Sequence, residues 1–177
     1  MNRIEEQEPA RVPGDDELIA MTCDGDLRAY DELVSRYEKR VYYLALRMVK
    51  NHDAADDVAQ ETFIRAYRAI DSFKRGYSFY TWLYRICMNL SINRLKRDGR
   101  VMPESRFGED AHPLEVADAT ADPLERAAAA EMEERIGAAI DSLSPKYKAV
   151  LVLRVYEDMT YEEIAETLDV PLGTVKA

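Results

Sequence analysis

Residues 73–97 read FKRGYSFYTWLYRICMNLSINRLKR. The first half interleaves aromatic and basic residues densely, and the second half is a helical pattern rich in bases. Ser72–Ser78 reads as a loop, and a helix is predicted from near Phe79 to about Lys96, closed by Asp98-Gly99. Aromatic faces stack on unpaired bases and cations hold phosphates, so Lys74, Arg75, Phe79, Tyr80 and Trp82 suit a single-stranded nucleic acid. Aromatics on a helix are also ordinary core residues, and Phe79 and Trp82 are expected to be at least half buried. Further along, Asn89, Asn93 and Arg97 share one face at four-residue spacing, with Arg94 and Lys96 beside them. Asparagine and arginine read base edges in a groove, and the same residues also make a solvated polar face. From these residues alone both readings stay open.

Outward from this segment the chain is helical in pattern throughout. Its 177 residues hold only seven glycines and seven prolines, a composition that favours helices over a sheet. Residues 1–14 read as a disordered lead-in ending at Pro13-Gly14. Asp15 or Asp16 is placed to cap a first helix running to about Met21. Asp26 is placed to cap a second over Leu27–Lys50, whose apolar positions Leu33, Val34, Tyr37, Val41, Leu44, Ala45 and Met48 follow a 3.6-residue period. Asp53 is the expected cap of a third helix over Ala54–Ile70. Val101–Asp122 has no periodicity and many acids, and reads as a flexible acidic linker. Helical pattern resumes at Pro123 and covers Leu124–Ser142, then Lys146–Glu157. Thr160 and Glu163 form a capping box for Tyr161–Leu168.

The C-terminal stretch has helix–turn–helix spacing. A small residue, Ala165, sits where two helices approach, and Ile164, Leu168, Val170 and Val175 are placed to lock the turn and second helix. Asp169 occupies the turn position often held by glycine, and aspartate tolerates the left-handed conformation better than most residues. A DNA-binding pair and plain core packing both fit this pattern. Leu172, Gly173, Thr174 and Lys176 are the residues placed to approach a major groove.

Formal net charge is −10, which at first argues against a nucleic-acid binder. The charge is uneven. Met1–Glu38 holds eleven acids and four bases, Lys74–Arg100 seven bases and one acid, and Pro103–Arg135 ten acids and three bases. One basic segment thus stands in an acidic chain, which suppresses non-specific nucleic-acid binding. Cys23 and Cys87 are far apart and are expected to be buried, reduced thiols. His52 and His112 belong to no metal-ligand set, and no nucleophile–base pair or glycine-rich phosphate loop is visible, which argues against an enzyme. No stretch nears the ~20 apolar residues of a membrane span. The acidic N-terminus is unlike a signal peptide, so a cytoplasmic protein with no membrane insertion is expected.

Three motifs together resemble the extracytoplasmic-function sigma factors, members of the sigma-70 family. Asp57-Val58-Ala59-Gln60-Glu61-Thr62-Phe63-Ile64-Arg65-Ala66-Tyr67 is similar to the family's region 2.2. Ser78-Phe79-Tyr80-Thr81-Trp82-Leu83-Tyr84-Arg85-Ile86 with Asn89 is similar to region 2.3. Leu143-Ser144-Pro145, Tyr161-Glu162-Glu163-Ile164-Ala165 and Gly173-Thr174-Val175-Lys176 are similar to region 4. Order and spacing match over roughly residues 15–100 and 123–177.

The resemblance implies an all-α protein of two small helical domains, region 2 over 15–100 and region 4 over 123–177, joined by the acidic linker 101–122. It implies docking on core RNA polymerase, at the clamp coiled coil and flap, with Asp57, Gln60, Glu61, Ile64 and Arg68 on the docking face. It implies that Lys74, Arg75, Phe79, Tyr80 and Trp82 help to open the −10 promoter element and hold a flipped base. Asn89 and Asn93 would border that site, and Arg94, Lys96 and Arg97 would bind phosphates. Leu172, Gly173, Thr174 and Lys176 would meet the −35 duplex. An anti-sigma factor is implied as a further partner, and no cofactor is. Family members continue with a basic recognition helix where this chain stops at Ala177, so a recognition helix cut short, with weak or absent −35 binding, is expected. A helix–turn–helix regulator that needs no polymerase is the competing reading; it accounts for the C-terminal motif but for neither of the other two.

Overall fold

The computed structural model describes residues 12–74, 78–101, 132 and 135–176. Every regular element among them is helical. The order is α1 (Asp15–Cys23), α2 (Leu27–Val49), α3 (His52–Ala69), a 3-10 turn (Ile70–Ser72), α4 (Phe79–Val101), α5 (helical over 135–141), α6 (Pro145–Tyr156), α7 (Tyr161–Leu168) and α8 (Leu172–Lys176). The expected lead-in falls mostly, and the linker almost wholly, outside the described residues.

The helix boundaries follow local chemistry. Asp26 caps α2 by accepting from the Arg28 backbone N–H at 2.9 Å. Gly25 precedes it at φ 96°, a left-handed conformation that favours glycine, and lets the chain reverse between α1 and α2. The cap of α3 is Asn51, whose side chain accepts from the Ala54 N–H at 2.8 Å. Asp53 instead lies in the first turn, where a carboxylate still favours the positive end of the helix dipole. Neither Asp15 nor Asp16 caps α1: Gly14 holds that position without a side-chain bond, and both acids sit in the first turn. Asp26→Ala is expected to lower stability by about 0.5–2 kcal/mol, read by urea denaturation, because α2 is the helix on which the others assemble.

Helices α1 to α4 form one bundle. Leu33, Val41, Leu44, Ala45 and Met48 of α2 are buried against α3 and α4, and Leu18 and Ile19 close one end from α1. Asp15 anchors α1 by accepting from Arg36 at 3.1 Å and from the Tyr37 hydroxyl. Tyr30 is buried and donates to the Phe63 carbonyl, and burial pushes its hydroxyl up to about 12. The C-terminal group packs α6, α7 and α8 around Ala149, Val152, Leu153, Met159, Ile164 and Val175. Asp169 ends α7 in the left-handed conformation, at φ 53°, as its place in the helix–turn–helix requires. The two groups share one continuous apolar cluster, because α6 lies on α2 and α4 and α7 lies on α4.

Two further expectations need correction. Asp98-Gly99 does not close α4, which continues to Val101; a single exposed glycine lowers helix propensity by only about 1 kcal/mol and does not break a long helix. Cys23 is exposed at the end of α1, whereas Cys87 is buried as expected, its thiol pushed up to about 12 by burial.

Candidate nucleic-acid and polymerase interfaces

The loop before α4 and its first turns build one concave site. Phe73 and Phe79 meet edge to face at 5.7 Å, Trp82 lies 5.3 Å from Phe73, and Tyr37 of α2 meets Phe79 at 5.5 Å. This aromatic cluster makes a rigid floor. Beside it lies a cavity of about 330 Å³ lined by Phe73, Lys74, Thr81, Trp82 and Arg85, with Glu166 of α7 on its far side. Trp82 is half-buried, so part of its ring remains available. Phe79 is only 5 % exposed. Its assignment as a direct DNA contact is therefore corrected: its ring holds the floor in place and offers no face to a ligand. Arg75 lies outside the described residues. Tyr80 is half-covered, and its hydroxyl donates to Glu163 of α7 at 2.5 Å.

Further along α4, Asn89, Asn93, Lys96 and Arg97 are exposed. Arg94 is committed to its neighbours: it pairs with Asp98 at 2.9 Å and reaches Asp57 of α3 at 3.5 Å. The sequence reading missed Arg85. Trp82, Arg85 and Asn89 stand at i, i+3 and i+7, one helical face, so the spacing contained the signal.

The α3 face is a separate stripe. Asp57, Gln60, Ile64 and Arg68 are exposed at helical spacing, with Ile64 45 % exposed, and Glu61 is half-covered and paired with Arg65 at 2.6 Å. Ile64 is thus an exposed apolar residue framed by acids, a base and an amide. The Arg94–Asp57 contact places this stripe next to the basic end of α4. At the C-terminus, Gly173, Thr174 and Lys176 are exposed, Leu172 is partly buried, and Lys176 reaches Glu162 at 3.9 Å.

Two carboxylates between the helical groups have opposite character. Glu163 is held below the ordinary carboxylate range, chiefly by the Tyr80 hydroxyl and then by the Thr160 backbone and side chain. Its ionised form is favoured in the fold, so that contribution is present above the ordinary range and is lost as pH falls through the depressed value. Glu157 is raised, chiefly by burial, against the opposing pull of Tyr84 and Arg47. Its contribution is present below the ordinary range and is lost as pH rises through the raised value. Glu163→Gln is expected to lose less Tm than the parent between about pH 6 and about pH 3, measured by thermal unfolding monitored by circular dichroism.

Among the described residues no group of three or more side chains is placed to hold a metal ion, and no helix is long and apolar enough to cross a membrane.

Comparison with known proteins matches residues 33–101 to Sigma-70 region 2 and residues 133–177 to Sigma-70, region 4. The chain is 40 % identical over 167 residues to the ECF RNA polymerase sigma-E factor of Haemophilus influenzae, covering 92 % of this chain and 88 % of that protein. In fold it is similar to CnrH, solved in complex with the cytosolic domain of CnrY, with a TM-score of 0.63 and 25 % identity over 92 % of this chain and 87 % of that one. It also shares the fold of the sigma factor RpoE solved with the anti-sigma factor NepR from Bartonella quintana, with a TM-score of 0.60 and 22 % identity over 83 % of this chain and 87 % of that one. Helix content, motif order and overall sequence agree: the chain belongs to the extracytoplasmic-function RNA polymerase sigma factors of the sigma-70 family.

Proposed function

We propose that the chain is a cytoplasmic, non-enzymatic subunit that docks on core RNA polymerase and directs it to promoters. The helices up to Val101 form the domain that melts and reads the −10 element, and α6 to α8 belong to the domain that meets the −35 duplex. The observation that carries this reading is the cavity beside Trp82. A half-buried indole on a rigid aromatic floor, rimmed by Lys74 and Arg85, has the stacking surface and cations that an extruded base and its phosphate need. Asn89, Asn93, Lys96 and Arg97 extend the surface along α4, and Arg94 supports it through Asp57 and Asp98. Thr174 and Lys176, with Leu172 and Gly173, are the contacts proposed for duplex DNA.

The stripe Asp57, Gln60, Glu61, Ile64 and Arg68 is the proposed dock on the clamp coiled coil, and region 4 the dock on the flap. An anti-sigma factor is the proposed regulator, by analogy with the relative solved with NepR. Gln60→Ala is expected to weaken binding to core polymerase roughly tenfold, about 1.4 kcal/mol, in a competition assay against the unmodified chain. Absence of polymerase binding by the folded parent chain would overturn the reading in favour of a polymerase-independent DNA binder.

A further inference from the structure

From the turn at Gly25, α1 and α2 run back along each other, and Asp15 is held against Arg36 and Tyr37 at the far end. Along one side they leave an open groove of about 440 Å³. Val12, Leu18 and Met21 line one wall, and Arg28, Ala29 and Glu32 the other. Leu18 and Ala29 are buried and make an apolar floor, while Val12 and Met21 are 72 % and 37 % exposed. Helix α1 has nine residues, about 14 Å at the helical rise, a length that seats two to three turns of a partner helix. The groove shares no residue with the Trp82 cavity or with the α3 stripe.

Charge on the rim selects the occupant. Glu17, Met21 and Asp24 stand at i, i+4 and i+7, one face of α1, so two exposed carboxylates flank the methionine. Asp26 and Glu32 border the opposite side. Residues 15–36 hold seven acids and two bases. One of those bases, Arg36, is committed to Asp15, Glu32 and the Pro13 carbonyl. Among the described residues no cation pairs with Glu17 or Asp24. An apolar strip between acidic rims is complementary to a helix with one apolar side and lysines or arginines on both flanks. The same charge disfavours other occupants. Residues 1–11 carry three acids and two bases, a second copy would set one acidic rim against another, and nucleic acid or anionic lipid is repelled.

We propose that the α1–α2 groove is a docking site for a basic amphipathic helix of a partner protein, its apolar side on Leu18, Met21 and Ala29 and its cations against Glu17, Asp24 and Asp26. Met21 is unbranched and adapts to apolar side chains of differing shape. The apolar floor supplies the affinity, and the exposed carboxylates steer the encounter, set the specificity and are screened by salt. The site goes beyond polymerase docking and promoter reading, and it stands or falls separately from both.

The test uses the full chain and a stapled helical peptide of about twelve residues, with leucines at i, i+4 and i+7 and lysines on both flanks. Its twin carries glutamate at every lysine position. Affinity is read by fluorescence polarisation of the labelled peptide, and the seat of binding by the methyl resonance of Met21 in an isotope-labelled chain. The lysine peptide is expected to bind roughly tenfold more tightly than its twin, or better, and to move the Met21 resonance. Met21→Ser should weaken it roughly tenfold. The double variant Glu17→Gln, Asp24→Asn should weaken it several-fold and flatten its salt dependence. All three positions are exposed, and circular dichroism verifies that the variants fold. Equal binding of the two peptides, or binding of neither, would overturn the proposal. A Met21 resonance unmoved by bound lysine peptide would overturn the groove as its seat. A resonance that moves with chain concentration alone would give the groove to a second copy, and one that moves on Ile4→Asp in the free chain would give it to residues 1–11; either result overturns the partner helix.

Discussion

Leu83→Ala is expected to lower the unfolding free energy by about 2–5 kcal/mol, the largest stability effect of any substitution considered. Leu83 is 0 % exposed and stands on α4, which contacts α2, α3, α6 and α7. Truncation removes apolar contact on several sides, and helices fixed by one another cannot all relax into the space. The loss should appear as a lower urea midpoint at unchanged slope, since the surface exposed on unfolding hardly changes. Leu83→Met keeps the volume and should cost less than about 1.5 kcal/mol. A loss from Leu83→Ala under about 1 kcal/mol would show that Leu83 is not buried in the folded chain, because removing three buried carbons costs about 2 kcal/mol in transfer alone even where the site collapses fully.

Trp82→Ala is expected to have the largest effect on nucleic-acid binding, a loss of about 1–3 kcal/mol in single-strand affinity, or roughly 5- to 150-fold. The indole is the exposed-edge member of a cluster whose Phe73 and Phe79 rings are buried. It is thus the ring with a face left to offer. Trp82→Phe separates packing from stacking: a phenyl ring keeps a smaller stacking surface and should retain most of the affinity. The measurement is oligonucleotide binding by the polymerase-bound chain, with circular dichroism to verify folding. Equal losses for both variants would point to the indole N–H in place of its face, and no loss for either would remove Trp82 from the site.

Much of this was legible in the sequence, for identifiable reasons. The 3.6-residue period of α2 survives because its buried positions are apolar apart from the Tyr30 hydroxyl, and Asp26 and the Thr160–Glu163 box mark helix starts through contacts two or three residues long. The α3 stripe entered through the resemblance of its motif, and of its five residues Asp57, Gln60, Ile64 and Arg68 are exposed. What depended on distant partners was not legible. Asn51 and Asp53 are both good caps, and only the backbone path selects Asn51. Phe79 and Trp82 look alike in the sequence; α2 supplies Tyr37 to bury the first, and nothing covers the second fully. The contacts Tyr80–Glu163 and Tyr84–Glu157 join residues 83 and 73 positions apart, and no local pattern encodes such a pairing. Arg85 differs: its place on one face with Trp82 and Asn89 was legible from spacing, and only its partner, a backbone carbonyl of a helix in the other group, was not.

The Glu163 carboxylate serves two masters with its two oxygens. Oε2 accepts from the Thr160 backbone N–H at 2.8 Å and closes the first turn of α7, while Oε1 accepts from Tyr80 across to α4. Fraying of that first turn therefore loosens the grip on Tyr80, and loss of Tyr80 frees the carboxylate to wander from Thr160. The amide proton of Thr160 becomes a local reporter. Its rate of exchange with deuterated solvent should rise whenever the tyrosine is unhitched, giving a residue-level clock for how often the two groups part company in an otherwise folded molecule.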